Sequence, residues 1–70
     1  MFWWFERGGE FMRYEVNELP EGGYLMHVVD VDGTEHNERF TDSSDLTRRQ
    51  ADFELELTEQ GWNGPHGWNV

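Results

Sequence analysis

The sequence predicts an α+β domain in which a four-stranded antiparallel meander (ββββ) is covered on one face by one C-terminal helix. Four short runs with alternating side-chain character come first, separated by turns that contain glycine or proline. A single apolar stripe at helical spacing follows them. Turns this short join antiparallel neighbours, because parallel strands need long crossover connections. We therefore expect one ββββα domain over residues 1–62 and an irregular tail over residues 63–70.

Strand breakers set the bounds of the four runs. Gly8 and Gly9 form a hairpin-type turn. The segment 19–23 combines a proline with two glycines, and Gly33 suits a left-handed bulge position in the next turn. We predict strands over residues 2–7, 10–18, 24–30 and 34–40.

Alternation within the middle two runs supplies one face of the sheet with a core. Successive side chains of a strand point to opposite faces, so even-numbered and odd-numbered residues separate. The even-numbered set is the more apolar, and half of the aromatic first run joins it. We expect the helix to pack on a face that contains Met12, Tyr14, Val16, Tyr24, Met26 and Val28.

The helix is marked at both of its ends. The segment 41–45 offers several side-chain oxygens that can cap a helix N-terminus. Gly61 is a natural residue for the left-handed position after the last turn, where it would fold Trp62 back onto Leu57. The stripe that faces the sheet consists of Leu46, Gln50, Phe53 and Leu57.

The charge balance is strongly acidic. Fifteen acidic residues face five arginines, there is no lysine, and the net charge is −10. Such a surface repels the phosphates of nucleic acids and anionic lipid head groups, so we expect neither nucleic acid nor a membrane as a partner. The one basic doublet, Arg48 and Arg49, is explained by helical pairs with Asp52 and Asp45, and phosphate binding is the alternative interpretation.

The sequence carries no catalytic signature. Cysteine is absent, which excludes disulfides and thiolate chemistry. There is no glycine-rich phosphate loop and no nucleophile elbow, and a domain of 70 residues rarely encloses a pocket of catalytic size. We therefore expect a protein that is not an enzyme and needs no cofactor.

One cluster of candidate metal ligands depends on a turn length. With a two-residue turn between the third and fourth runs, His27 would lie opposite Glu38 with His36 beside it, a set that suits zinc. With a three-residue turn the register shifts and His27 leaves the group. The sequence Val31-Asp32-Gly33 favours the three-residue turn, and hence a solvated sheet face without metal.

The aromatic first run predicts an interaction surface. One helix covers one face of a sheet, so half of the large side chains of this run remain on the other face. Contiguous exposed apolar patches usually mark binding surfaces, and a small core gains from a partner. The predicted interface residues are Phe2, Trp4, Phe11, Leu25 and Val29 on the sheet, with Leu55 on the back of the helix.

The segments 13–16, 31–35 and 61–67 give the chain a resemblance to short uncharacterised bacterial proteins of this size. The resemblance implies a bacterial origin and brings no activity and no functional residue with it. The apolar stretch at the N-terminus is too short for a signal peptide or a spanning helix, and no basic residue precedes it. We therefore expect a cytoplasmic protein.

Three functional hypotheses remain. The first is a non-enzymatic interaction module that forms a homodimer through its aromatic sheet face, or that binds another protein, including a basic one. The second is a nucleic-acid mimic that occupies a basic groove on a partner, which carboxylates along the helix would support: Asp45, Asp52, Glu56 and Glu59. The third is a small metal- or ligand-binding protein built on the histidine cluster.

Overall fold

A computed structural model describes residues 2–68, with the backbone alone for Trp68. One five-stranded antiparallel sheet, in the order β4-β3-β2-β1-β5, carries one helix, α1, on one face. The α+β class, the antiparallel sheet and the helix packed on it are confirmed. The elements are β1 (Phe2–Arg7), β2 (Glu10–Glu18), β3 (Tyr24–Val29), β4 (Glu35–Phe40), α1 (Ser43–Glu59) and β5 (Asn63–Trp68).

The first four strands pair in chain order, as the short turns predict. The β3–β4 turn fixes the register of the polar edge strand. Asp30 and Thr34 are paired by a backbone hydrogen bond of 2.8 Å, which leaves a three-residue turn that ends at Gly33 with φ +87°. His27 therefore lies opposite Asn37, and Val28 lies opposite His36.

A fifth strand corrects the prediction of an irregular tail. Residues 63–68 form β5, which pairs antiparallel with β1 at the edge of the sheet, so the four-stranded meander is incomplete. The Gly64–Pro65 peptide bond is cis, and the register shifts between Trp4 and Glu6. Proline is tolerated in an edge strand because its missing N–H is not needed by a further neighbour. Met1, Asn69 and Val70, which belonged to the predicted domain and tail, lie outside the described residues.

Gly64 explains why a segment without apolar alternation can pair with β1. Its φ is +145°, and a Cβ at this position would lie 2.8 Å from Cδ2 of Phe5 and 3.0 Å from the carbonyl oxygen of Trp4. Only glycine fits this close approach without a shift of its neighbours. The glycines that suggested a tail are thus the residues that let β5 pack against the sheet.

The core lies between α1 and the sheet face that carries the even-numbered residues of β2 and β3, as predicted, together with Trp3 and Phe5 of β1. Phe5, Tyr14 and Met26 are its largest fully buried side chains. The Phe53 ring of α1 meets the rings of Tyr14 and Phe5 edge-on, with centroids 5.3 Å and 6.4 Å away. The buried cluster is completed by Met12, Val28, Leu46, Leu57 and Trp62.

Both ends of α1 have the predicted type of cap. The side chain of Asp42 accepts a hydrogen bond of 2.9 Å from the backbone N–H of Ser44. At the other end Gly61 has φ +90°, and the N–H of Trp62 donates to the carbonyl oxygen of Leu57 at 3.0 Å, as in a Schellman motif. Trp62 is thereby buried in the same cluster as Leu57.

Arg49 corrects the predicted helical pairs. Its Nε lies 3.0 Å from Oε2 of Glu38 on β4, and not beside Asp45. A tertiary partner was available because β4 runs under the start of the helix and presents Glu38 toward it. The described part of the chain contains no helix that is both long and apolar enough to cross a membrane.

Candidate interaction surface on the open sheet face

The side of the sheet turned away from α1 is called the open face below. Within residues 2–68 no helix or strand lies over it. The register places Trp4 beside Arg13 and Arg13 beside Val29, so outward-pointing residues of β1, β2 and β3 form one surface. Its apolar members are five of the six predicted interface residues: Phe2, Trp4, Phe11, Leu25 and Val29.

Leu55 does not belong to this surface. It projects from α1, on the opposite layer of the molecule, and its side chain is 59 % exposed. A single exposed leucine needs no functional explanation. It provides instead an apolar residue of matched exposure outside the open face, since Phe11 is also 59 % exposed.

Aromatic rings stack on the β1–β5 side of the open face. The Trp4 ring lies against the imidazole of His66, with centroids 4.3 Å apart and an interplanar angle of 29°. The Phe11 ring also lies next to Trp4, with ring centroids 5.9 Å apart. His66 comes from β5 and was not predicted here, because residues 63–68 show no alternation that would signal a strand.

The open face is hollowed beside Trp4. A depression of about 390 Å³ is walled mainly by apolar side chains, with Arg13 at its edge. A smaller hollow of about 140 Å³ adjoins Arg13, Glu15 and His27. Concave apolar surfaces with a few polar groups are typical of binding sites. The residues lining the larger hollow are Phe2, Trp4, Phe11, Met12, Arg13, Val29 and Asp30.

The β4 side of the open face is polar. Nδ1 of His27 lies 2.6 Å from Oδ1 of Asn37, and Nε2 lies 2.9 Å from Oε1 of Glu35. Both ring nitrogens of His27 are therefore occupied by neighbours on β4. These hydrophilic side chains of β3 and β4 flank the apolar patch on its β4 side.

The predicted cluster of metal ligands is not brought together. His27 lies on the open face, whereas His36 and Glu38 lie on the face that carries α1, because the three-residue turn sets the register. Glu38 is paired with Arg49 there. Among the described residues no group of three or more histidine and acidic side chains has the geometry of a metal site.

Charge pairing is uneven across the open face, where His27 and Arg39 have acidic partners. Arg39 pairs with Glu21 at 2.5 Å, and the guanidinium of Arg7 donates to the carbonyl oxygen of Gln60 at 3.0 Å. Arg13 and Glu15, both on the open face, form no ion pair or side-chain hydrogen bond with any residue of the range 2–68. Among residues 2–68, only Arg39 and Arg49 have a carboxylate partner, so Arg13 shares this lack with Arg7 and Arg48.

Both edges of the sheet are unsuited to pairing with another strand. The β4 edge carries charged side chains on both faces, among them Glu35, Glu38 and Arg39. The β5 edge contains Pro65 and a bulge beside it. Charges, proline and bulges are the devices by which natural sheets avoid edge-to-edge association. The apolar patch on the face, rather than an edge, is therefore the candidate binding surface.

No protein-family model, no curated protein and no solved structure matches this chain. The resemblance to short uncharacterised bacterial proteins stays a prediction.

Proposed function

We propose that this protein is a non-enzymatic interaction module that forms a homodimer by packing its open face against the open face of a second copy. The observation that carries the proposal is the aromatic group of Trp4, Phe11 and His66 on a sheet face over which the described chain places no other element. Tryptophan and arginine are the residues that most often dominate binding energy at the centre of interfaces. Trp4 and Arg13 lie side by side at the centre of this face.

The size of the face fits such an interface. The molecule measures 39 × 23 × 20 Å, so its broad side is comparable with the ~800 Å² that each partner buries in a standard protein–protein interface. Two sheets that pack face to face lie about 10 Å apart, a distance that side chains as large as tryptophan fill from both sides. Small domains with a limited core often gain stability from such association.

The net charge predicts an unusual salt dependence. Two chains of charge −10 repel each other at low ionic strength, and salt screens that repulsion over a Debye length of about 8 Å at 0.15 M. Apolar burial between the two faces is not weakened by salt in the same way. The homodimer is therefore expected to become tighter as the salt concentration rises.

The proposal is tested by measuring the mass in solution. Light scattering should give about twice the chain mass of 8.4 kDa for the wild type. Phe11→Glu should give the monomer, because it places a charge in an apolar contact. Phe11 is exposed within one chain, so this change should leave the fold intact, as circular dichroism will verify. Leu55→Glu is the matched control and should leave the dimer unchanged, since Leu55 lies on the other layer.

A monomeric wild type at millimolar concentration and high salt would overturn the proposal. A dimer that Phe11→Glu and Leu55→Glu leave equally intact would place the contact elsewhere on the molecule. Trp4→Glu provides a second disruption of the same surface if the first variant proves too mild.

A nucleic-acid mimic is the second candidate, and the helix carries the observation in its favour. Four exposed carboxylates lie within a narrow arc of α1 and extend over about 21 Å at 1.5 Å per residue. They are Asp45, Asp52, Glu56 and Glu59. A mimic binds its basic partner less tightly as salt rises, the reverse of the homodimer. Capture of basic proteins at low but not high salt, lost on changing these four residues to amides, would support this function instead.

A further inference from the structure

We propose that Arg13 and Glu15 form a reciprocal pair of salt bridges across a two-fold axis that lies between the two packed sheets and crosses over the centre of β2. This inference rests on the proposed homodimer and names the contact that sets its geometry. Arg13 and Glu15 are two residues apart on one strand, so their side chains stand on the same face about 7 Å apart. They bracket Tyr14, whose side chain points to the core.

The position of β2 makes it the natural strand for a symmetry axis. The sheet order β4-β3-β2-β1-β5 places β2 in the middle, with two strands on each side. A two-fold axis that lies in the plane between the two packed sheets, nearly perpendicular to β2 and over Tyr14, sets the β2 strands of the two copies antiparallel, within the roughly 30° that aligned sheets allow. Arg13 of each copy then faces Glu15 of the other, because an isologous interface repeats every contact.

Desolvation requires such a pairing. Arg13 is flanked by Trp4 and Val29, and Glu15 is flanked by Phe2 and His27, so covering this face removes water from both charges. A charge buried without a partner is strongly unfavourable, whereas a paired charge is tolerated. Since neither side chain has a partner within residues 2–68, we infer that the partner comes from the covering surface.

Glu15 is the acidic side chain of the open face that is free to make this contact. Glu6 accepts hydrogen bonds from the backbone N–H of Gly9 at 3.1 Å and from the Asn63 amide at 3.4 Å. Glu35 is paired with His27 at 2.9 Å. Glu15 has no such contact among the described residues, and it lies at the spacing from Arg13 that the two-fold axis reproduces.

The pair also accounts for how two strongly acidic chains associate in one orientation. The overall charge of −10 opposes any contact between copies, so an approach that brings opposite charges together at its centre is favoured over others. Like charges that meet across an interface destabilise the wrong register. Arg13 and Glu15 would thus act as positioning residues for the dimer, while the aromatic group supplies the buried area.

Charge reversal tests this arrangement. Arg13→Glu and Glu15→Arg should each weaken the dimer at least about tenfold in Kd, because each variant sets like charges opposite each other. The double variant R13E/E15R should restore the dimer to within about threefold of the wild type, since it exchanges the two charges and keeps the net charge. Arg48→Glu is the control matched to Arg13→Glu in its change of net charge, as Arg48 is exposed on α1.

Mixing the two single variants provides a second, independent readout. The Arg13→Glu chain is acidic at both positions and the Glu15→Arg chain is basic at both, so an equimolar mixture should form a heterodimer with both pairs satisfied. Sedimentation equilibrium of each variant and of the mixture measures this directly. If the wild type is a dimer but Arg13→Glu matches the Arg48→Glu control, the pairing is overturned and the homodimer stands. If the wild type is a monomer, the homodimer and the pairing fail together.

Discussion

The two faces of this sheet are built from the same residue types but differ in what covers them. On the face under α1, Tyr14 stacks on Trp3 at 4.9 Å and meets Phe53 edge-on, and its hydroxyl donates to Glu54 at 2.8 Å. On the open face Trp4 stacks on His66 with the outer side of both rings uncovered by any element of residues 2–68. Aromatic content alone therefore does not distinguish core from surface, and the position of one helix decides it.

Charge pairing does not separate the two faces, since His27 and Arg39 on the open face have acidic partners in Glu35 and Glu21. Glu38, which points toward α1, is paired with Arg49, and no side-chain nitrogen or oxygen that is fully buried among the described residues lacks a partner. Arg13 and Glu15 on the open face form no ion pair within residues 2–68. Stacked aromatic rings and two charges without a described partner thus lie together on the open face.

The largest expected contrast between the faces comes from two neighbours on β1. Phe5→Ala should lower the free energy of unfolding by about 4 kcal/mol, because Phe5 is 0 % exposed and its removal leaves a cavity. Trp4→Ala should cost only about 1 kcal/mol within one chain, mainly through its stack with His66. Urea unfolding at concentrations where both variants are monomeric measures this difference. Equal losses would mean that the open face is part of the core.

A second contrast tests how closely β5 packs against β1 beside Phe5. Gly64→Ala should cost about 2 kcal/mol, because the added Cβ would lie 2.8 Å from the Phe5 ring at φ +145°. Gly67→Ala is the matched control on the same strand, since its Cβ would find ordinary contact distances of 3.5 Å to the Trp3 ring. Thermal melts of the two variants compare them. Equal melting temperatures would indicate that β5 does not pack on β1 in this manner.

The smallest effect concerns the hydroxyl of Tyr14 under the helix. Burial, together with the hydrogen bond to Glu54, holds the pKa of Tyr14 well above its usual value of 10.0. The folded state therefore keeps a proton that the unfolded state loses, so stability falls as the pH rises above 10. Tyr14→Phe should cost about 1 kcal/mol at pH 7 and flatten this alkaline dependence.

The matched control for that prediction is Tyr24→Phe, a half-buried tyrosine on the same face of the sheet. Urea unfolding at pH 7, 9 and 11 follows both variants. If Tyr24→Phe rather than Tyr14→Phe removes the alkaline loss of stability, the buried hydroxyl is not the group responsible.

The sequence predicted β1–β4 and α1 well, because their signals are local. Gly8 and Gly33 mark the positions of two turns, and the alternation of apolar residues separates the two faces of the sheet. Gly61 follows the helix in the predicted left-handed conformation. Five of the six residues predicted to form an interface lie on the open face for the same reason, since alternation and one covering helix suffice to place them there.

What the sequence did not predict depends on contacts between distant segments. The strand β5 is held by β1 and by the fit of Gly64 against Phe5, which no local pattern reports. His66 was missed with it. Arg49 pairs with Glu38 rather than with the predicted Asp45, because α1 packs over β4. That Arg13 and Glu15 have no ion pair within residues 2–68 likewise depends on the whole fold, because it requires the position of each charged side chain.

The addition of β5 to β1 also brings the beginning and the end of the sheet side by side. Phe2, the first residue of β1, pairs with Trp68, the last residue of β5, although more than 60 residues separate them along the chain. A short linker between these two strands would therefore preserve every strand pair, and the chain can be reopened at the exposed turn that contains Gly22. Such a circular permutant would keep the open face unchanged. The order of the strands along the chain can therefore be changed without changing the residues on the open face.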